Sequence, residues 1–426
     1  MHAATRARPR PAPGPAEYPV IGNADVFHAT KNIVLHADKL WRTYGDVARM
    51  NLMGKRFTLL SHPDHVARVL VSERANFVKG PAYDPVRRLF GGSLLTLEAG
   101  AWRERRSLAQ PAFHRQSLER LCDIVVDSGS RYFEALLRRA GGDSFTIDAY
   151  STMTRLTLDV VVDSLFGRNL IDTSAQVSFD ALSQALEPVS DRANDLPVPR
   201  WLPTPRNLRF ARTLRALDDS VYQIIEAGRK RTHEHGTLLS MLLAARDERG
   251  DALPQKAVRD EVFTLFLAGH ETTALTLTWL LVMLDGRDDV LGRIVEEVNG
   301  VLNGRDPSFA DVAKLVYLRQ VIEETLRIRP PAPMVIRDVL ARADFDGYDV
   351  LPGESVTPLI WAVHRHPDYW SDPERFDPDR FAPELVRARN KWAYIPFSAG
   401  PRTCIGNTFA LMEASVLVAR SSIGSS

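Results

Sequence analysis

The chain has 426 residues, of which 45% are hydrophobic and 25% charged, and its formal net charge is +1. This composition is that of a globular protein with a large core, and it excludes a disordered chain. The balanced charge provides no basic surface for nucleic acid, and two cysteines, Cys122 and Cys404, are too few for a disulfide framework or a set of zinc ligands. We therefore expect a cytoplasmic protein that does not bind nucleic acid.

Residues 1–17 are rich in Arg, Pro and Ala and lack the apolar segment of a signal peptide. We interpret them as a flexible leader to one domain over residues 18–426, because no linker, composition change or repeat marks a boundary. No apolar run reaches the ~20 residues that cross a bilayer. The nearest, Val262–Leu284, is interrupted by His270 and Glu271, so we expect no membrane anchor.

Helical periodicity dominates the chain, which predicts a mainly α (α+β) fold. In chain order, the predicted helices are Asn32–Tyr44, Asp64–Val71, Ala101–Phe113, Gln116–Arg139, Thr154–Phe166, Ala211–Glu234, Lys256–Asp285, Asp289–Leu302 and Val312–Arg327. The predicted strands are a hairpin of Val47–Met53 and Arg56–Ser61, and a strand pair over Asp349–Thr357 that is broken at Pro352-Gly353. Proline and aspartate interrupt every pattern over 368–396, which predicts an ordered, irregular segment.

The longest predicted helix has a polar centre, Ala268-Gly269-His270-Glu271-Thr272-Thr273. Glycine is about 1 kcal/mol less favourable than alanine inside a helix, so this centre is locally weak. Ala268 and Thr272 share a face, which lets the Thr272 hydroxyl donate to the carbonyl of residue 268 and opens a groove for water. The alternative is a buried helix whose polar groups are satisfied by neighbours. A zinc-protease helix is excluded, because its second histidine would fall at Ala274.

Two charged patterns follow. Glu324 and Arg327 are three residues apart on a predicted helix and face the same way. Such pairs are frequently solvated and contribute little to stability, so the residues alone favour a surface pair. The later run Pro373–Phe381 is rich in Pro, Arg and Asp within the irregular segment.

The run Phe397-Ser398-Ala399-Gly400-Pro401-Arg402-Thr403-Cys404-Ile405-Gly406 surrounds one thiol with glycines, a cation and an aromatic ring. A thiolate axial ligand pushes electron density onto heme iron and favours cleavage of the O–O bond. The helix-prone stretch Ile405–Ala419 would place Cys404 at a helix N-terminus, which favours the thiolate. The alternative is a small buried cysteine in a Gly/Pro turn.

The neighbours of Cys404 fit the same chemistry. Gly400 and Gly406 have no Cβ, so the loop can lie against a flat macrocycle. Arg402 can pair with a heme propionate, because a guanidinium matches a carboxylate in a two-pronged geometry. Phe397 can pack behind the sulfur and exclude water.

This decamer resembles the heme-binding signature of the cytochrome P-450 family, and the likeness runs from Tyr18 to about Ala419. The resemblance implies the fold of that family, a large helical domain with small β-sheets. It also implies heme b (iron protoporphyrin IX) between a long distal helix and a proximal loop, with Cys404 as the iron ligand. The family usually continues into a C-terminal β-hairpin, whereas here we expect none, because residues 420–426 are mostly small and polar.

The resemblance also assigns roles on the long helix. Ala268 and Gly269 would make room for dioxygen on the distal face of the heme. Oxygen activation consumes protons, and Thr272 would orient oxygen and water while Glu271 acts as the acidic relay.

Other matches concern heme retention. Trp102 and Arg106 fit the family's Trp-x-x-x-Arg pattern, in which both side chains address a propionate, and Arg337 lies where many members place another propionate partner. Glu324 and Arg327 would form a buried cluster with Arg375.

The resemblance implies a heme-dependent monooxygenase that inserts one atom of dioxygen into a lipophilic small molecule by hydroxylation or epoxidation. Electrons would come from an external ferredoxin or flavodoxin with its reductase, docking near Arg103, Arg105 and Lys391 on a monomer. Residues 77–95 and 196–205 would border the substrate entrance, whose apolar rim suggests a fatty acid, terpenoid or polyketide. The alternatives are an isomerase or dehydratase of oxygenated lipids and a non-catalytic heme binder.

Overall fold

The structure is a computed structural model that describes residues 10–23, 32–141, 146–167, 204–230, 236–246 and 249–422. The described residues are mainly helical, which confirms the predicted class. The α-helices are α1 (Ile33–Tyr44), α2 (Pro63–Ala67), α3 (Asp84–Phe90), α4 (Ala99–Ala109), α5 (Arg115–Ala140), α6 (Ala149–Phe166), α7 (Pro205–Lys230), α8 (Leu238–Ala244), α9 (Gln255–Leu284), α10 (Asp288–Leu302), α11 (Phe309–Val312), α12 (Val316–Ile328), α13 (Ile360–Val363), α14 (Pro383–Ala388) and α15 (Asn407–Ser422).

Helix ends follow local chemistry. The Asn32 side chain accepts hydrogen bonds from the first amides of α1, and Gly45, with φ 89°, ends that helix. The Asp148 carboxylate caps α6 by accepting from the Ser151 amide at 2.7 Å. Asn303 adopts a left-handed conformation, with φ 50°, at the end of α10. These caps explain why most predicted helices lie within a few residues of the observed ones.

Three predicted helices are corrected, and the first, Ala101–Phe113, is α-helical only to Ala109 and continues as a 3₁₀ turn over Gln110–Phe113. The predicted helix Val312–Arg327 begins only at Val316, as α12, because Asp311 accepts backbone hydrogen bonds from Lys314 and Leu315 and closes a turn between α11 and α12. The predicted helix Asp64–Val71 is α-helical only to Ala67 and continues as a π-helical turn, Arg68–Ser72.

The strands form a five-stranded sheet and a separate pair. In chain order they are β1 (Val47–Leu52), β2 (Lys55–Leu60), β3 (Phe77–Val78), β4 (Arg337–Val339), β5 (Ala343–Phe345), β6 (Tyr348–Val350) and β7 (Ser355–Pro358). The order in the sheet is β1-β2-β7-β4-β3, with β2 and β7 parallel and the other pairs antiparallel. The predicted hairpin is confirmed as β1 and β2. The predicted pairing within Asp349–Thr357 is wrong, because β6 pairs with β5 and β7 joins the larger sheet.

The chain forms two compact units. Unit 1 comprises Met1–Pro85, Val282–Asp285 and Tyr317–Asn407, and unit 2 comprises Val86–Leu281, Gly286–Val316 and Thr408–Ser426. Both sheets belong to unit 1, where α1 buries Ala37 and Leu40 against Leu59 of β2. Unit 2 is helical, and α6 packs against α5 and α8. The predicted single domain over residues 18–426 stays a prediction.

Residues 10–17, the described part of the predicted leader, pack on the rest of unit 1, and the leader itself stays a prediction. Arg10 accepts a backbone hydrogen bond from Asp349 at 2.8 Å, and its guanidinium lies 4.7 Å from the Tyr348 ring centroid. Ala12 is buried, and Glu17 forms an ion pair with Arg49 at 3.2 Å. Backbone hydrogen bonds and an ion pair hold this segment despite its proline-rich composition.

Helix α9 is the element that positions most of the predicted distal residues. Within the described part of the chain, it is the one helix long and apolar enough to span a membrane. A core helix passes the same test, so this is weak evidence for a span. Ionisable side chains interrupt this helix, such as those of buried Asp260 and Glu261, and they would be energetically unfavourable in the hydrocarbon core of a bilayer.

Candidate active site

In unit 1, the predicted ligand loop is a closed turn that presents a thiol. The Cys404 amide donates to the Phe397 carbonyl at 3.0 Å, and the amide and hydroxyl of Thr403 both donate to the Gly400 carbonyl. The Cys404 side chain is exposed, whereas Cys122 is fully buried and burial raises the pKa of its thiol to about 12. Helix α15 starts three residues after Cys404, just past Gly406. Cys404 is therefore the accessible thiol of this chain.

Gly400 has a packing role that the sequence did not reveal. Its φ is +70°, in the left-handed region, and a Cβ at this position would lie 2.4 Å from the Leu70 carbonyl oxygen. Glycine is therefore required where the ligand loop meets the π-helical turn Arg68–Ser72. Contact of Gly400 and Gly406 with a macrocycle stays a prediction.

Unit 1 also carries Arg337, Arg402 and Phe397, the two cations and the aromatic residue predicted to contact a heme. Arg337, in β4, is 6% exposed, and its Nη1 donates to the Ile336 carbonyl at 2.7 Å and lies 3.5 Å from the Tyr83 hydroxyl. Arg402 and Phe397 are half-buried beside Cys404 in sequence.

In unit 2, the centre of α9 has one accessible face. Ala268, Glu271 and Thr272 are exposed, whereas the intervening His270 is buried. The Thr272 hydroxyl donates to the Ala268 carbonyl at 2.6 Å, which confirms the predicted side-chain-to-backbone bond. Protein atoms packed around the accessible Glu271 carboxyl limit its hydration and raise its pKa above the ordinary value. The raised pKa favours a protonated Glu271 carboxyl, and the neighbouring residue Thr272 has its hydroxyl bonded to the backbone of its own helix.

The opposite face of α9 is packed. A Cβ on Gly269 would lie 3.0 Å from Val161 Cγ2, so glycine allows α6 to approach α9 closely. The Thr157 hydroxyl of α6 lies 3.1 Å from the His270 carbonyl. Burial lowers the pKa of His270 to about 4, so its imidazole is neutral at physiological pH. Gly269 thus has a packing role, and its predicted role in heme binding stays a prediction.

Trp102 and Arg106 lie on α4 and are half-buried. The Arg106 Nε donates at 2.9 Å to Oε1 of Gln110, the first residue of the 3₁₀ turn that follows α4. The predicted four-residue spacing therefore holds on a continuous helix, in the same unit as Glu271 and Thr272.

Sequence reasoning missed the acidic pair that anchors the loop before α4. The Asp260 carboxylate accepts from the Gly92 amide and Glu261 accepts from the Leu94 amide, each at 2.9 Å, and Arg105 bonds Glu261 at 3.1 Å. Burial raises the pKa of Glu261 to about 7, although Arg105 opposes the shift. The sequence signal for this anchor was a pair of adjacent acids in a helix predicted to be buried. Buried carboxyl groups need hydrogen-bond or ionic partners, so such a pair indicates contacts with other segments.

This anchor corrects one prediction about docking. The Arg105 side chain is only 14% exposed and is committed to Glu261, so it cannot serve an external partner. Arg103 is exposed on α4, and it lines a cleft of about 840 Å³ with Arg246 and Arg249. Lys391 is exposed on unit 1.

The buried cluster around Glu324 is confirmed, but its third member is Arg380 and not Arg375. Glu324 and Arg327 are fully buried and paired at 2.6 Å, and Arg380 Nε lies 3.6 Å from Glu324 Oε1. The Arg375 side chain is exposed, and only its carbonyl takes part, by accepting from Arg327. Burial raises the pKa of Glu324 despite the two arginines.

The residues present fit a heme. An iron porphyrin with two carboxylates needs one axial ligand and cationic partners. Within unit 1, the accessible Cys404 thiol fits the axial ligand, and Arg337 and Arg402 are cations that fit a carboxylate. Within unit 2, Trp102 and Arg106 keep their predicted spacing, and their contact with a propionate stays a prediction. The entrance segment 77–95 is described and includes β3 and α3, whereas residues 196–203 of the other entrance segment lie outside the described residues.

Comparison with known proteins agrees with this geometry. The sequence model of the cytochrome P-450 family matches residues 11–421. Cyclooctat-9-en-7-ol 5-monooxygenase of Streptomyces melanosporofaciens is 33% identical over 90% of this chain and 85% of its own length. Pentalenene oxygenase of Streptomyces avermitilis is 32% identical over 95% of this chain and 88% of its own length.

Among solved structures, cyanobacterial CYP120A1 with retinoic acid bound superposes with a TM-score of 0.86. It is 26% identical, and the match covers 97% of this chain and 92% of that one. Sequence and fold therefore lead to one conclusion: the chain belongs to the cytochrome P-450 family of heme-dependent monooxygenases.

Proposed function

We propose that this monooxygenase hydroxylates or epoxidises a terpenoid, with Cys404 as the iron ligand and Glu271 and Thr272 as the proton-delivery pair. The observation that carries the proposal is the accessible face of α9, where Thr272 is bonded back to Ala268 beside Glu271. When bound, the heme supplies the activation of dioxygen. The terpenoid class is supported by the names of the two Streptomyces relatives, which act on cyclooctat-9-en-7-ol and pentalenene.

The roles of the protein side chains follow from their chemistry. Limited hydration raises the pKa of the Glu271 carboxyl, which favours its protonated form, and this acid can release a proton toward Thr272. The Thr272 hydroxyl has one hydrogen, which is directed to Ala268, so its lone pairs are available to accept a hydrogen bond from water. Trp102, Arg106, Arg337 and Arg402 would hold the propionates, with Ala268, Gly269, Phe397, Gly400 and Gly406 shaping the pocket.

The substrate class is tested by titrating the heme-loaded protein with terpene hydrocarbons, fatty acids and polyketides while the spin-state bands are recorded. Binding beside the iron displaces water and shifts these bands. We expect terpenes to give the shift and, with surrogate redox proteins and labelled dioxygen, a product that contains one labelled oxygen atom. A response confined to fatty acids or polyketides would overturn the terpenoid assignment.

Thr272→Ala tests the proton-delivery pair. Loss of the hydroxyl should uncouple electron consumption from product by roughly tenfold, because general acid–base assistance contributes at least that much. The matched control is Thr278→Ala on the same helix, since Thr278 makes the same kind of bond to Ala274 at 2.7 Å. Full coupling in Thr272→Ala would favour an isomerase or dehydratase. A wild-type protein that forms no product from any class would favour a non-catalytic heme binder.

We further propose a cytoplasmic monomer that is reduced by an acidic ferredoxin or flavodoxin docking near Arg103. Arg103→Glu should slow reduction roughly tenfold at low ionic strength without altering heme content, because long-range attraction steers the encounter. The difference should shrink as salt is added. Arg138→Glu, on the 71% exposed side chain near the end of α5, controls for the charge change. Unchanged reduction by the Arg103 variant would refute this docking face.

A further inference from the structure

A fully buried acid lies behind the centre of α9. Glu413, on α15, is 1% exposed, and its Oε2 lies 3.3 Å from the Thr273 hydroxyl oxygen of α9. Thr273 directly follows Thr272 but is itself only 4% exposed. Glu413 therefore contacts the packed face of α9, away from the accessible residues of the proposed proton-delivery pair.

The distances around the Thr273 hydroxyl favour one arrangement of its hydrogen. The Thr273 hydroxyl has a single hydrogen, and its oxygen also lies 3.0 Å from the Gly269 carbonyl, which can only accept. The shorter contact is the usual bond of a helical threonine to the carbonyl four residues earlier. With that hydrogen committed to Gly269, the contact with Glu413 is a hydrogen bond only if the carboxyl carries a proton and donates it.

We propose that Glu413 is an un-ionised acid that donates a hydrogen bond to Thr273 and thereby positions the Glu271–Thr272 pair on α9. Burial supports this state, because it raises the pKa of Glu413 to about 8. A buried carboxylate without a cationic partner would be unfavourable, and among the described residues the Glu413 side chain forms its hydrogen bond with Thr273.

The positioning role follows from how α9 is held. Its packed face is fixed at three adjacent points: Val161 against Gly269, Thr157 against the His270 carbonyl, and Glu413 against Thr273. Hydroxyl bonds to backbone carbonyls weaken and bend a helix, and α9 has them at both Thr272 and Thr273. Glu413 thus supports this turn of α9, so that the opposite face presents Thr272 and Glu271 in one arrangement. This role rests on the proposed function, whereas the protonation state does not.

Infrared spectroscopy tests the protonation state in the full-length, heme-loaded protein at pH 7. We expect a carbonyl band of a protonated carboxylic acid that shifts in heavy water, disappears in Glu413→Gln, and moves to higher frequency in Thr273→Val because its hydrogen bond is lost. Glu261→Gln is the control for another buried acid, and it should leave this band in place. If the band that disappears in Glu413→Gln is that of an ionised carboxylate, or if Thr273→Val leaves the acid band unmoved, the inference is wrong.

Amide hydrogen exchange tests positioning without reference to turnover. Glu413→Leu should speed exchange at the amides of Thr272 to Thr276 about tenfold, as expected for one lost hydrogen bond, and Glu413→Gln should restore protection because its amide can donate. Equal exchange in the Leu variant and the wild type would contradict the positioning role. The positioning role would also be contradicted if Glu413→Gln failed to restore the protection of these amides, even if that variant were an active enzyme. A protein with the predicted band and protection but no oxygenated product would contradict the proposed function alone.

Discussion

At the scale of single residues, the cluster around Glu324 shows how buried charge is made tolerable. Arg327 pairs with Glu324 through two nitrogens and donates to the carbonyls of His364, Pro373 and Arg375. Arg380 adds hydrogen bonds to the Ser371 and Asp372 carbonyls. These two arginines therefore attach the irregular segment to α12, and the segment precedes the ligand loop in the chain.

We predict that Arg380→Ala lowers the free energy of unfolding by roughly 3–5 kcal/mol, because it removes one partner from a buried charge cluster. Arg375→Ala, five residues earlier, should change it by less than about 0.5 kcal/mol, since that side chain is exposed. Chemical denaturation of the two variants and the wild type measures both values. Equal destabilisation by the two substitutions would contradict the assignment of Arg380.

The sequence could not choose between these arginines. Both precede a phenylalanine, in Arg375-Phe376 and Arg380-Phe381, and both lie in similar Pro- and Asp-rich surroundings. The choice is made by tertiary packing, because Phe381 contacts Trp370 and Tyr394 in a small aromatic cluster and brings Arg380 inward. Local patterns predict that an arginine of this segment joins the buried cluster, whereas the packing of distant segments decides which of the two arginines is buried.

At the scale of elements, the ligand loop depends on backbone space as much as on the thiol. Gly400→Ala should destabilise the protein by roughly 2–5 kcal/mol, because it combines a left-handed backbone with a clash against a carbonyl oxygen. Gly353→Ala is the matched control in unit 1, with φ +87° and no atom within 4 Å of the added Cβ, and it should lose only about 1–2 kcal/mol.

Thermal or denaturant unfolding compares the two glycine variants. Heme content should fall in Gly400→Ala and stay at the wild-type level in Gly353→Ala. If both variants lose the same stability, the close approach of Gly400 to Leu70 does not constrain the loop.

Elements differ in how far sequence predicts them. The periodicity of α9 and α10 predicted both helices within one residue at each end, because long apolar faces are local signals. The partner of β7 was not predictable, since this strand is short and its parallel partner β2 lies almost 300 positions away, whereas β6 pairs with β5, its neighbour in the chain. The accessible face of α9 was predicted from spacing, whereas Glu413 was not, because its contact joins helices that are distant in sequence.

At the scale of the whole molecule, the predicted site residues are divided between the two compact units. Cys404, Arg337 and Arg402 belong to unit 1, and Thr272, Glu271, Trp102 and Arg106 belong to unit 2. The match to the cytochrome P-450 family covers residues 11–421, which include parts of both units. The motif around Cys404 identified the family from sequence, and the surrounding helices and glycines hold that motif in place.

The central claim is that the Cys404 thiolate binds heme iron, and the absorption spectrum of the carbon monoxide adduct of the reduced protein tests it most directly. We predict the red-shifted Soret band that a thiolate ligand produces, and its loss in Cys404→Ser, whereas Cys122→Ser retains it because that thiol is buried and protonated. A globin-like band in the wild type, or an unchanged spectrum in Cys404→Ser, would contradict the account.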